Sequence, residues 1–141
     1  MSLYADTSFL ASLYLKDLHS NRAWKAIASR PRIWLTALQR AELANAVSQH
    51  VFRRAITEFE AQVVHDRFEA DRASGLWSEI EIPDNTFELC IDLARKYTPQ
   101  LGIRTLDILH VSSALELKAA QFWTFDERQA KLAKAVGLKV S

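Results

Sequence analysis

Short apolar runs, each separated from the next by helical periodicity, limit what this chain can fold into more than any other feature of it. "SLYA" (2–5), "RIWLT" (32–36), "WSEIEI" (77–82) and "QFWTF" (121–125) have the length and composition of strands. In "WSEIEI" the apolar members are Trp77, Ile80 and Ile82, and Pro83 ends the run. No Asn-Gly or Asp-Gly pair joins two of these runs into a hairpin. Strands that alternate with helices imply an α/β fold: a central parallel sheet flanked by helices on both faces. "LKV" (138–140) can add a last strand.

The helical stretches are read as 7–15 (a turn or two), 18–30, 37–52, 57–74, 84–97, 105–117 and 126–136. Leu38, Ala41, Ala44, Val47 and Val51 mark the inner face of the third. The third and fourth form a helical hairpin that turns near Arg53 and Arg54, and Gly75 ends it. Asp84 is the expected N-cap of the fifth helix, which closes before Pro99. Thr105 is the expected cap of the sixth, and Gly137 stops the seventh.

A length of 141 residues with 49% apolar composition suits one domain, residues 1–141, with a real core. The formal net charge is +1, so any nucleic-acid surface has to be a local patch. Cys90 stands alone inside an apolar helical run and reads as a buried structural thiol in a reducing compartment. The first residues lack a basic segment and Asp6 breaks their apolar run, which argues against a signal peptide. No apolar run approaches the roughly 18 residues that a membrane span needs. The expectation is a cytoplasmic protein without a membrane partner.

Where ligands bind in such a fold is governed by a general rule: they gather beyond the carboxyl ends of parallel strands. Asp6 directly follows the first apolar run, and Asp126 follows the last, each where a helix starts. Glu42 lies one and a half turns into the third helix among Leu43, Ala44, Ala46 and Val47. Asp107 lies in the first turn of a helix that continues as an apolar run. Both sit where burial normally selects an apolar residue. Four carboxylates converging on one crevice would repel one another unless a cation lay between them, and Mg²⁺ or Mn²⁺ favours such oxygen ligands.

A plainer reading stands beside this one. Asp6, Asp107 and Asp126 also suit helix N-termini, Thr7 and Ser8 can start the first helix, and Glu42 can pair with Arg40 or Arg104.

The order "YADTSFL", "AELANA", "RTLDILHVSSAL" and "FWTFDERQAKLAKAVGL" resembles the PIN-domain ribonucleases, and most of all the VapC-like toxins of toxin–antitoxin pairs. The resemblance extends from residue 3 to about residue 140. It implies a PIN-like fold and Mg²⁺- or Mn²⁺-dependent endoribonuclease activity, with a metal-activated water attacking the phosphodiester. Carried over by position, Asp6, Glu42, Asp107 and Asp126 form the catalytic, metal-holding quartet. Ser8 and Thr124 support it, and His110 fits a "D-x-x-H" pattern with a structural role. The implied partners are an RNA substrate, a small antitoxin at the helical hairpin of residues 37–75, and a second copy in a homodimer.

Arg104 and Arg128 flank the site and suit contact with the RNA backbone, the alternative being a salt bridge to an acid nearby. His19, His50 and His65 look ordinary, and Trp24, Trp34, Trp77 and Trp123 read as core. A phosphate-cradling Gly-rich loop is absent from the sequence, which argues against a Rossmann or P-loop enzyme. Two other functions remain open. One is a non-catalytic RNA- or protein-binding module on the same fold; the other is a metal-dependent nuclease acting on DNA or flap substrates.

Overall fold

The computed structural model describes residues 2–141. In chain order the elements are β1 (Ser2–Ala5), α1 (Thr7–Tyr14), α2 (Ser20–Ile27), β2 (Arg32–Leu35), α3 (Ala37–Phe52) and α4 (Glu58–Ala73). There follow β3 (Ser78–Glu79), α5 (Thr86–Leu101), α6 (Thr105–Glu116), β4 (Gln121–Trp123) and α7 (Glu127–Ala135). The sheet has the order β3-β2-β1-β4, and every pairing is parallel.

Alternation along the strands sorts the core into two layers. Leu3 and Ala5 of β1, Ile33 and Leu35 of β2 and Trp123 of β4 pack beneath α1 to α4. Tyr4 and Phe122 point the other way and pack with Cys90, Leu93, Val111 and Leu132 of α5 to α7. Cys90 is buried, and burial pushes its thiol pKa up, as expected of an inert structural cysteine.

Strand order also locates the crevice. From β1 the chain proceeds through β2 to β3 on one side, then returns to place β4 on the other. The switch point therefore lies between β1 and β4, at their carboxyl ends. Buried Gln39 fixes the neighbouring corner: its Oε1 accepts from Thr36 N–H at 2.6 Å, and its Nε2 donates to the carbonyls of Ala5 (2.6 Å) and Trp34 (3.1 Å).

Several expected boundaries shift. Only Ser78 and Glu79 of "WSEIEI" form a strand, because β2 ends at Leu35 and α3 starts two residues later, leaving β3 no partner beyond Ile80 N–H bonded to Leu35 O. "LKV" contributes an isolated bridge, Phe122 to Val140, instead of a strand.

Asn85, not Asp84, precedes α5, and its side chain caps nothing. Pro99 lies inside that helix's last turn, and the stop is Gly102, left-handed at φ 62°, with its N–H donating to Thr98 O. Thr105 is the first residue of α6, preceded by extended Arg104.

On α3 the inner face carries Gln39, Leu43 and Val47, while Ala41 and Ala44 are exposed toward the α4 groove. Trp77 and Trp123 are buried as expected. Trp24 and Trp34 are only half-buried, under the guanidinium groups of Arg67 and Arg32.

Candidate functional site

The chain leaves β1 and β4 side by side, and Asp6 N–H donates to Trp123 O at 3.0 Å. Asp6 is fully buried and caps α1: its Oδ1 accepts from Phe9 N–H at 3.0 Å and from Ser8 Oγ at 2.6 Å. Its Oδ2 accepts from the Thr124 hydroxyl. Asp126 caps α7, its Oδ1 accepting from Gln129 N–H at 2.9 Å, and it is partly exposed. Both aspartates are therefore helix caps as well as neighbours of the crevice. Thr7 and Ser8 do not cap; Ser8 braces Asp6, and Thr7 donates to Glu42 Oε1 at 2.8 Å.

Hydroxyls stitch the two turns together. Thr124 Oγ1 accepts from Asp126 N–H at 2.9 Å, and Ser8 Oγ accepts from Phe125 N–H at 3.0 Å. Asp107, buried in the first turn of α6, accepts from Gln129 Nε2 at 3.2 Å through Oδ1 and faces Arg104 Nε at 3.4 Å through Oδ2. One turn further along α6, buried His110 bonds to Glu42 Oε1. Glu42 thus pairs with His110 and Thr7, and neither Arg40 nor Arg104 forms an ion pair with it among the described residues. The acids sit on two hydrogen-bonded networks: Asp6, Asp126 and Asp107 are linked through Thr124 and Gln129, while Glu42 is tied to Thr7, His110 and Tyr4.

Electrostatics differ among the acids. Burial pushes the Asp6 carboxyl above the ordinary aspartate range, against the pull of Ser8, Thr124 and Phe9 N–H. Burial also raises Asp107; Arg104 opposes the shift and the charge of Asp126 adds to it. For Glu42 burial pushes up, but the hydrogen bond and charge of His110, together with Thr7, outweigh it and leave the carboxyl low. Burial keeps the Tyr4 phenol protonated far above its usual range. Its hydroxyl lies 2.8 Å from His110 Nδ1, and Nε2 of the same ring faces Glu42 Oε1.

This donor set suits a hard divalent cation: it consists of carboxylate oxygens, two of them on groups whose ionisation burial opposes. Asp107 and Asp126, which repel one another, are the pair a cation would relieve most. Hydroxyl and amide bridges hold the acids apart, and among the described residues no group of three or more His, Cys, Asp or Glu side chains stands at metal-holding spacing.

Arg104 has an exposed side chain and pairs with Asp107. Arg128 is exposed and makes no ion pair among the described residues. The connecting residues Gln39, Gln129 and the Tyr4–His110 link have no counterpart in the sequence reading beyond the "D-x-x-H" pattern. Gln39 had one available signal, the Thr-x-x-Gln spacing of a capping box.

A parallel α/β sheet with acids at its switch point defines a class of carboxylate-lined crevice. Residues 3–135 match the family model of the PIN domain, and the chain belongs to that family. In fold it is similar to VapC20 of Mycobacterium tuberculosis, described as a sarcin–ricin loop cleaving toxin, at 17% identity and a TM-score of 0.71 over 96% of this chain and 95% of that one. It is also similar to VapBC2 from Rickettsia felis bound to a promoter DNA fragment (19%, TM-score 0.69, 100% and 98% covered). FitAcB from Neisseria gonorrhoeae gives 17%, a TM-score of 0.71, and coverage of 98% and 95%. At these identities the likeness is one of fold. No curated protein sequence matches the chain, and among the described residues no helix is long and apolar enough to cross a membrane.

Proposed function

We propose that this chain is a divalent-metal-dependent endoribonuclease, the toxin of a toxin–antitoxin pair, built as one domain. The observation that carries the reading is the gathering of Asp6, Asp126 and Asp107 on one hydrogen-bonded network at the switch point, with Glu42 held by Thr7, the residue after Asp6, and by His110, one turn along α6 from Asp107. Mg²⁺ or Mn²⁺, when bound, supplies the Lewis acidity that phosphodiester hydrolysis by water requires. Asp6, Glu42, Asp107 and Asp126 are the side chains that would hold the ion. Ser8 and Thr124 orient Asp6, and His110 orients Glu42. Arg104 and Arg128 stand outside the acids, where guanidinium groups suit a phosphate backbone.

The groove between α3 and α4, about 350 Å³ and floored by Leu43, Val47 and Phe68, is the antitoxin's place in this reading. Exposed Phe87, Ile91 and Leu106 on α5 and α6 are the surface assigned to a second copy. The VapBC2 complex among the fold relatives supports an antitoxin partner. A cytoplasmic location follows from the same reading.

The test is cleavage of structured RNA by purified, antitoxin-free protein. Activity is expected with Mn²⁺, lost in EDTA and lost in Asp6→Asn and Asp126→Asn, leaving 5′-phosphate and 3′-hydroxyl ends. Cleavage unchanged by EDTA and by both substitutions, or ending in a cyclic phosphate, would exclude the mechanism. One observation favours the non-catalytic alternative: the acids do not stand at metal-holding spacing. RNA binding without Mn²⁺ binding would establish that alternative.

A further inference from the structure

A second cavity lies beside the turn that carries Thr124 and Asp126, and none of the four acids lines it. Its volume is about 350 Å³, within the range of ligand pockets. Phe9, Trp123 and Phe125 form its aromatic wall, and α2 contributes Arg22, Lys25 and Ala26. The wall follows from alternation in "FWTFD": Trp123 and Phe125 line the cavity, while Thr124 between them bonds to Asp6. Phe125 stacks on Phe9 at 5.4 Å and on His19 at 4.3 Å between ring centroids, and Trp123 Nε1 donates to Gln121 Oε1 at 3.1 Å. Phe125 N–H also donates to Ser8 Oγ, the hydroxyl that braces Asp6. The cavity and the site thus share one anchored turn.

Charge on the rim is unmatched. Arg22 and Lys25 are exposed and make no ion pair among the described residues, and the Arg22 guanidinium lies 5.4 Å from the Phe125 ring centroid. Asp17, the acid nearest in sequence, already accepts from Ser12 Oγ at 2.7 Å, His19 N–H at 2.8 Å and Ser20 Oγ at 3.3 Å. Rings beside unpaired cations suit an unpaired nucleotide, whose base stacks on the former and whose phosphate pairs with the latter. Phe125 directly precedes Asp126, so a strand lying along the acids has a neighbouring nucleotide within reach of this cavity. We propose that the cavity is a base subsite for single-stranded RNA: one unpaired base packs against Phe125, and Arg22 and Lys25 take the adjoining phosphates. This inference rests on the RNA substrate of the reading above.

The experiment is fluorescence anisotropy with a labelled oligoadenylate of about ten nucleotides, in EDTA, across a range of salt concentrations. Three proteins are compared: wild type, Ala26→Leu, and the double variant Arg22→Ala with Lys25→Ala. Leu at position 26 fills the cavity and leaves every charge in place. It is expected to weaken binding roughly fivefold to a hundredfold, the effect of losing one stacked base. The same variant should bind an abasic phosphodiester strand of equal length as wild type does. The double variant should reduce the slope of log affinity against log salt by about 0.7 per phosphate contact, hence about 1.4 for the pair.

Wild-type affinity in a folded Ala26→Leu protein would overturn the proposal, and is the result expected of a cavity that holds a protein partner. An equal loss for the abasic strand would overturn it too, because a base would then not be what the cavity holds. So would a wild-type salt slope in the double variant. Each of these results leaves the endoribonuclease reading standing. If Ala26→Leu fails to fold, the double variant decides alone, as both of its side chains are exposed. A wild-type protein that binds no oligoadenylate would instead remove the RNA substrate from the proposed function, and this inference with it.

Discussion

Asp107→Asn is expected to abolish RNA cleavage and, at the same time, to raise the melting temperature of the metal-free protein. Burial and the neighbouring charge of Asp126 lift the Asp107 carboxyl above its ordinary value of 3.8, with Arg104 opposing. The native state therefore binds the proton more tightly than the unfolded chain does. Stability conferred by that proton is present below 3.8 and is lost as pH rises through the raised native value. At neutral pH the ionised side chain is a cost, and Asn removes it while its own carbonyl still accepts from Gln129 Nε2.

Lewis-acid stabilisation of several kcal/mol corresponds to about a thousandfold in rate, which is the scale of the expected loss of cleavage. Melting in EDTA across pH 4 to 8 checks the stability half of this prediction. The variant's advantage should shrink as pH falls toward the ordinary aspartate range. A variant that melts below wild type at pH 7 would show that Asp107 is a structural anchor instead.

His110→Phe should give the largest loss of stability from any single site residue. The ring is 1% exposed and serves Tyr4 at one nitrogen and Glu42 at the other. Phe is close in volume but leaves the buried Tyr4 hydroxyl without its partner and Glu42 with only Thr7. At about 1–3 kcal/mol for each buried polar group left unpaired, the cost is roughly 3 kcal/mol. For a chain of this size that amounts to a drop of roughly 10 °C in melting temperature.

Adding Tyr4→Phe should recover part of the loss, because removing both partners of a buried bond is cheaper than removing one. The low Glu42 carboxyl depends chiefly on His110 among the groups that hold it down, so its contribution in wild type is present above 4.5 and fades as pH falls through the lowered native value. His110→Phe should lack that acid-sensitive component in urea titrations. Equal acid sensitivity in the two proteins would detach Glu42 from His110.

Reading the sequence alone was enough to place β1, β2, β4, the helical hairpin and the parallel character of the sheet, because each rests on local periodicity. β3 was overextended, since the strand's length depends on where β2 runs out of partner, a nonlocal fact. Pro99 does not stop α5: the helix runs two residues past it without the bond a nitrogen there would make to the carbonyl four residues back, and Gly102 supplies the left-handed exit. Asp84 and Thr105 were misplaced as caps because cap preferences do not fix the helix start to the residue.

The rule on strand ends points to Asp6 and Asp126, which do follow β1 and β4 as helix caps beside the crevice. Ser8 and Thr124, which the resemblance named as supports, both bond to Asp6. The Tyr4–His110 link, across 106 residues, has no such signal. A single polar residue in a helix carries no periodic signal of a partner so far away. Gln39 carries no such signal either, and Gln129 enters only as a letter of the closing motif without a role, although both are buried where an apolar side chain would be the default.

The claim on which everything else depends is that these acids hold a divalent cation. Calorimetric titration of the wild-type chain with Mn²⁺, beside Asp6→Asn and Asp126→Asn, tests it most directly. The account predicts saturable binding by wild type and its loss in both variants, with all three proteins folded. No binding by wild type, or binding that neither substitution alters, would contradict it.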